Sequence, residues 1–194
     1  MVIKMRQQSS LILVPVLAGV LFTVVPAAWA QTVPEKAPVS SAAQTYYKSG
    51  LDLGEQGKFP EAIAAFTKAI QKNLTFAKAY NNRGVVYTKL GDFTHAVFDF
   101  VEAIEIDPTY EEAYCNLGLV YAKQGKYPRA VFDFTKAIEV NPHYAKAYVN
   151  RAVAYFEEKD YAKAWADVHR AQKLGSGVNP EFLADLKMES GRNK

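Results

Sequence analysis

The sequence predicts an all-α protein: four helix pairs stacked into a solenoid and closed at the C-terminal end by one short helix. Residue types recur with a period of 34 over most of the 194-residue chain. Within each period small and aromatic residues fall at i, i+4 and i+7, which gathers them on one helix face. Gly and Pro stand where such helices have to stop and start.

In chain order, an N-terminal segment comes first. Lys4 and Arg6 precede an apolar run from Leu11 to Val25, and Ala28-Trp29-Ala30 places small side chains at the two positions a signal peptidase reads. Residues 1–30 therefore read as a secretory signal peptide cleaved after Ala30. An uncleaved anchor is the alternative, but the run is short for a bilayer and Pro15 interrupts it. No Cys lies near the cleavage point to carry a lipid. Segment 31–42, with Pro34, Pro38 and two serines, reads as a flexible linker.

The repeats occupy 43–76, 77–110, 111–144 and 145–178. In the first half of each, one column reads Tyr46, Tyr80, Tyr114, Tyr148, followed by Gly50, Gly84, Gly118, Ala152 and by Leu53, Tyr87, Tyr121, Tyr155. The second halves align as Gly57, Gly91, Gly125, Lys159, then Phe59, Phe93, Tyr127, Tyr161. Further on come Ala62, Ala96, Ala130, Ala164 and Phe66, Phe100, Phe134, Val168. Pro60 and Pro128 sit where second helices begin, a position at which a missing N–H costs nothing. Asp107-Pro108 and Asn141-Pro142 separate successive repeats. The expectation is that each small residue of a first helix faces the alanines of its second helix, so that the backbones approach closely.

This pattern of aromatic, Leu-Gly, Tyr, Ala, Phe and Pro resembles the tetratricopeptide repeat (TPR) family, best in Tyr80-Asn81-Asn82-Arg83-Gly84 and Tyr114-Cys115-Asn116-Leu117-Gly118. Repeats one and four depart from it, with Leu74 in place of Pro, Lys159 in place of Gly and Val168 in place of Phe. The resemblance implies a right-handed α-solenoid whose first helices line a concave groove. After it, Asn179-Pro180-Glu181 reads as a helix cap, and Phe182, Leu183 and Leu186 are placed to cover the apolar end of repeat four. The domains are thus 1–30 signal peptide, 31–42 linker, 43–178 repeats, and 179–194 capping helix and tail.

Composition narrows the function. The net charge of +3 falls to +1 once Lys4 and Arg6 leave with the signal, and no basic run remains to engage nucleic acid. The lone Cys115 excludes an internal disulfide, so 164 residues, the 194 less the first 30, have to stabilise themselves by their core. His95, His143 and His169 fall at three different repeat positions, which argues against a metal site. No phosphate-binding glycine loop or nucleophile elbow is present. No catalytic residue, cofactor or metal is expected. Cys115 reads as a small apolar residue, with a partly exposed thiol as the alternative.

By resemblance, the groove is lined by the second, fifth, sixth, ninth, twelfth and thirteenth positions of each repeat. The sixth column, Lys48, Asn82, Asn116, Asn150, is an asparagine ladder able to hydrogen-bond an extended peptide backbone. Beside it runs an apolar ninth column, Leu51, Val85, Leu119, Val153. Tyr47 and Asn81 come from the fifth column, Lys146 from the second, and Lys89 and Lys123 from the thirteenth. TPR domains that clamp the acidic C-terminus of heat-shock chaperones need Lys, Asn, Asn, Lys and Arg at defined positions; Asn81, Val85, Asn116, Lys146 and Asn150 stand there, and only Asn116 and Lys146 agree. Arg83 with Asp99, and Arg151 with Asp167, share frame positions that pair the two helices of a repeat, and as surface pairs they would contribute about 0–1 kcal/mol.

The sequence reads as a non-enzymatic, exported adaptor or scaffold of the bacterial periplasm that binds a protein or peptide, without nucleic acid and without membrane insertion after cleavage. The alternatives are a self-assembling, homo-oligomeric structural protein and an assembly chaperone for secreted or outer-membrane complexes.

Overall fold

The computed structural model describes residues 39–191; the expected signal peptide and residues 31–38 and 192–194 lie outside them. The described residues form nine helices: α1 Ser41–Glu55, α2 Phe59–Lys72, α3 Ala77–Leu90, α4 Phe93–Ile106, α5 Glu111–Lys123, α6 Tyr127–Val140, α7 Ala145–Glu157, α8 Tyr161–Lys173 and α9 Pro180–Glu189. The first begins inside the segment read as linker, because the Ser40 side chain accepts a hydrogen bond from the Ala43 N–H and so caps the helix.

Each first helix packs on the second helix of its own repeat, and each second helix packs on the next first helix. Consecutive first helices also touch, α1 to α3, α3 to α5 and α5 to α7. The array therefore closes up along its first helices and opens along its second helices, which makes the former the inner side of a curved solenoid.

The closeness within a pair has a different cause from the one the columns suggest. A Cβ placed on Gly50, Gly84 or Gly118 would lie 2.6, 2.9 or 2.7 Å from the ring of Phe66, Phe100 or Phe134, respectively. Glycine thus makes room for an aromatic ring, not for alanine. Those three rings are at most 1% exposed. Repeat four solves the same volume problem in reverse, with Ala152 and Val168 both fully buried in one cluster. The apparent degeneracy of that repeat is a compensated exchange of volume.

Second helices start in two ways. Asp92 and Asp160 cap α4 and α8 by accepting from the N–H of His95 and Lys163. The helices α2 and α6 instead carry Pro at their first turn, which removes a donor that would need capping. At the preceding turns Gly57, Gly91 and Gly125 hold φ at +74°, +78° and +71°, and Lys159 holds φ +62° in the same place at a cost of about 1 kcal/mol. Leu74 is tolerated where Pro was expected because the Asn73 side chain makes the turn itself, accepting from both the backbone N–H and the hydroxyl of Thr75 at 2.9 Å.

The helix α9 closes the C-terminal end. Asn179 caps it, Leu186 is fully buried against Ala152, Ala164, Trp165 and Val168, and Phe182 meets Phe156 edge-on at 5.6 Å. Ser190, at the end of α9, accepts a hydrogen bond from the Trp165 indole at 3.1 Å.

The Gly–Phe contact yields a double-mutant cycle. Gly118→Ala is expected to destabilise the protein by about 1–3 kcal/mol through overpacking. Combining it with Phe134→Val, which copies repeat four, should cost clearly less than the two single changes added together. Urea unfolding of the four proteins measures the coupling; strict additivity would mean that the glycine is not there for the ring.

Candidate functional site

The inner side of the solenoid carries the residues singled out from the sequence, and the structure divides them into three kinds. The first kind stitches repeats together. Asn82 Nδ2 donates to the Tyr47 hydroxyl at 2.9 Å, Asn116 Nδ2 to Asn81 Oδ1 at 2.9 Å, and Asn150 Nδ2 to Cys115 Sγ at 3.3 Å. Each bond runs from the sixth position of one repeat to the fifth position of the repeat before it. Asn82 also donates to the Lys78 carbonyl at 2.9 Å, so both its N–H groups are committed.

The last residue of each of the first three repeats completes the stitch, a role that the groove columns missed. Phe76 stacks obliquely on Tyr47 with ring centroids 4.9 Å apart. Tyr110 lies beside Asn81 and Tyr144 beside Cys115. Burial is the main reason that both of these phenols are pushed up from their ordinary values. The signal was available in the sequence as an aromatic column at Phe76, Tyr110 and Tyr144, one residue before each new frame.

The asparagine ladder is therefore part of the scaffold before it can serve any ligand. Asn81 is only 5% exposed, and Cys115 is fully buried with its thiol pushed up, chiefly by burial. The apolar reading of Cys115 is the one the structure supports; the exposed-thiol alternative is not.

The second kind forms the floor. Leu51 packs against Ala62, Phe66 and Val86, Val85 against Ala96, Phe100, Leu117 and Val120, and Leu119 against Cys115, Phe134 and their neighbours. Leu51, Val85 and Leu119 are half-buried, whereas Val153 is 39% exposed. The third kind is exposed to solvent: Lys48, Lys89, Lys123 and Lys146 stand on first helices, and Lys89 Nζ rests 5.6 Å above the Phe59 ring at the start of α2. A fixed apolar floor beside long cationic side chains is suited to an extended segment with apolar and acidic side chains.

Away from this face, between second helices, lies a set of buried charges. Arg83 grips Asp99 through two hydrogen bonds at 2.9 and 2.7 Å and reaches back to Thr67 at 2.9 Å. Arg151 does the same to Asp167 at 2.7 and 2.8 Å and to Thr135 at 2.9 Å. The carboxylates are buried, with Asp99 1% and Asp167 5% exposed, which corrects the expectation of weak surface pairs. Burial pushes Asp99 up even with Arg83 beside it. Removing one partner of such a pair strands a desolvated charge and costs on the order of 3–5 kcal/mol. The equivalent place in repeat three has Val101, Leu117 and Asp133 instead of Thr, Arg and Asp. Asp133 is 6% exposed, and burial raises it to about 7, opposed only by the charge of Arg129.

Two measurements test these contacts. Asn116→Ala should lower stability by about 0.5–1.5 kcal/mol even without any ligand, since it deprives buried Asn81 of its donor; chemical denaturation checks it. Asp133 also makes stability depend on pH. Below about pH 4 both folded and unfolded chains hold its proton. From there to about pH 7 only the unfolded chain loses it, so stability falls as pH rises and levels off above the folded value. The titratable and charged groups around it are Arg129 on its own helix and the Tyr121 phenol on α5. Between pH 5 and pH 8 the wild type should lose about 2–3 kcal/mol relative to Asp133→Asn in urea titrations. Parallel pH profiles for the two proteins would contradict this.

Comparison with known proteins agrees with the geometry. Family models described as tetratricopeptide repeat or TPR repeat match residues 50–91, 86–125, 111–144 and 134–166. A thermophilic TPR protein of Thermus thermophilus, TTC0263, has a similar structure at TM-score 0.65 and 25% identity, covering 78% of this chain and 84% of its own. The crystal structure of MamA is similar at TM-score 0.64 and 25% identity, covering 72% of this chain and 80% of its own. The first TPR of Spaghetti (RPAP3), bound to the HSP90 peptide SRMEEVD, is similar at TM-score 0.57 and 25% identity, covering 59% of this chain and 91% of its own. No curated protein matches the sequence. With a 34-residue helix pair repeated four times, stitched at each junction and matched by these models, the chain belongs to the tetratricopeptide repeat family.

Proposed function

We propose that this TPR protein is a non-enzymatic interaction scaffold of the bacterial cell envelope, holding an extended, acidic segment of a partner protein along its first helices. The observation that carries the reading is the set of exposed lysines on first helices, Lys48, Lys89, Lys123 and Lys146, with half-buried Leu51, Val85 and Leu119 on the same helices; Glu55 and Glu157 confine the positive part of the thirteenth column to its middle. A TPR protein of the same fold is bound to a peptide rich in acidic residues, which supports this class of ligand. The departures at the chaperone-clamp positions argue for a different acidic segment: Val85 stands where an amide is needed, and Asn116 Nδ2 is already committed to Asn81. The envelope assignment rests on Lys4, Arg6, the apolar run and Ala28-Trp29-Ala30. Among the described residues no helix is long and apolar enough to cross a membrane. End-to-end self-assembly is the less favoured reading, since α9 turns exposed Asp185, Lys187 and Glu189 outward at the C-terminal end.

Reversing the lysines tests the groove without touching the stitches. Once a partner is captured from the envelope fraction, Lys89→Glu with Lys123→Glu should weaken binding at least about tenfold by calorimetry, with a smaller loss at high salt. The same reversal at Lys68 and Lys136, on second helices, should leave affinity unchanged. Equal affinity for both double variants would remove the groove from consideration. Export is tested separately: N-terminal sequencing of the protein recovered from the envelope should begin at Gln31, and a product retaining Lys4 and Arg6 in the membrane would contradict it.

A further inference from the structure

In repeats two and four, one arginine joins three elements: its own first helix, the aspartate of its own second helix, and a threonine of the preceding second helix. At the junction of repeats two and three, two of those three polar groups are replaced by Val101 and Leu117, while the aspartate is kept as Asp133. The missing arginine leaves space. A cavity of about 400 Å³, lined by Leu117, Tyr121, Pro128, Arg129, Phe132 and Asp133, opens beside the carboxylate. Asp133 is 6% exposed and Leu117 also 6%, yet Phe132 at the rim is 61% exposed.

We infer that this cavity is a second binding site, on the outer side of the solenoid, that receives an arginine side chain of a partner protein in the place vacated by the arginine of repeat three. The charge is complementary: a buried carboxylate with no arginine from its own first helix meets a guanidinium whose planar fork reaches it through two parallel hydrogen bonds, as Arg83 and Arg151 do at 2.7–2.9 Å. The walls suit it as well. Tyr121 already carries the Arg129 guanidinium at 5.6 Å from its ring, and Phe132 carries Lys136 Nζ at 5.6 Å, so both rings present faces that attract cations. An incoming arginine is less strongly hydrated than a lysine ammonium and is favoured in so apolar a cavity. Arg129 is the competitor from within the chain, standing one turn before Asp133 and lowering its proton affinity. This site is independent of the inner groove and survives or fails separately from it.

The test follows the Asp133 carboxyl by carbon NMR in the purified protein, with methylguanidinium as the probe. Methylguanidinium is expected to lower the Asp133 midpoint by about half a unit or more, roughly a threefold loss of proton affinity, while methylammonium at the same concentration does not. A capped arginine-containing peptide should act like methylguanidinium and its lysine counterpart should not. Leu117→Arg supplies the missing group from within the chain; it should bring Asp133 into the ordinary carboxylate range and abolish the probe response. Should that variant fail to fold, Asp133→Asn keeps the cavity and removes its charge, and the probe-induced shifts at Leu117 and Phe132 should vanish. The inference is overturned if the wild-type midpoint ignores methylguanidinium, or if Arg129→Ala is needed before any response is seen, since Arg129 then fills the site. It is also overturned, in favour of a second copy of this chain, if light scattering shows self-association that Asp133→Asn abolishes.

Discussion

Everything in this solenoid depends on how closely the two helices of a repeat approach each other. That distance is set by a phenylalanine ring lying against a glycine, at Gly50–Phe66, Gly84–Phe100 and Gly118–Phe134, where a single added carbon would intrude to within 3 Å. The contact recurs at the same place in the first three repeats, and units that pack alike can stack regularly. Repeat four places Ala152 and Val168 there instead. Conservation of volume, not of residue type, is what the array requires.

On that regular frame two polar systems run side by side. Along the inner side, the sixth-position asparagines tie each repeat to the one before it; among the second helices, Arg83 and Arg151 hold buried aspartates across the same intervals. Both systems place polar groups where water is scarce, so each has to be nearly complete. The inner system is complete at all three junctions. The other is complete at two and lacks its cation at the third, where Asp133 is left with a raised proton affinity and an open cavity. A lapse of this kind in an otherwise regular series costs stability at neutral pH, because the folded chain holds the Asp133 carboxyl above its ordinary range.

The fold was legible because a 34-residue period leaves little freedom: the columns named the helix faces, and Asn179-Pro180 marked the start of α9. Side-chain partners were less legible. Glycine was expected to face alanine, yet faces Phe66, Phe100 or Phe134, since column position fixes the side of a helix but not the depth to which a ring reaches. The asparagine ladder was read as ligand-facing, yet Asn82, Asn116 and Asn150 turn toward the preceding repeat, a direction that a single-repeat frame does not represent. The Arg–Asp pairs were found from spacing, but their burial, which changes their energetic meaning, required the neighbouring repeat's Thr67 and Thr135 to be in view.

The stitching also has a last position. Tyr47, Asn81 and Cys115 each offer an acceptor atom to the asparagine of the following repeat, but the corresponding residue of repeat four is Val149, whose side chain has none. A fifth unit docked there, whether from the same chain or from another copy, would bring an amide to a place with no counterpart and leave its N–H unanswered. The helix α9 follows repeat four without such a bond, packing Leu186 and Phe182 against Ala152, Ala164, Trp165 and Val168. Val149→Asn would give repeat four the acceptor that Tyr47, Asn81 and Cys115 supply in the repeats before it.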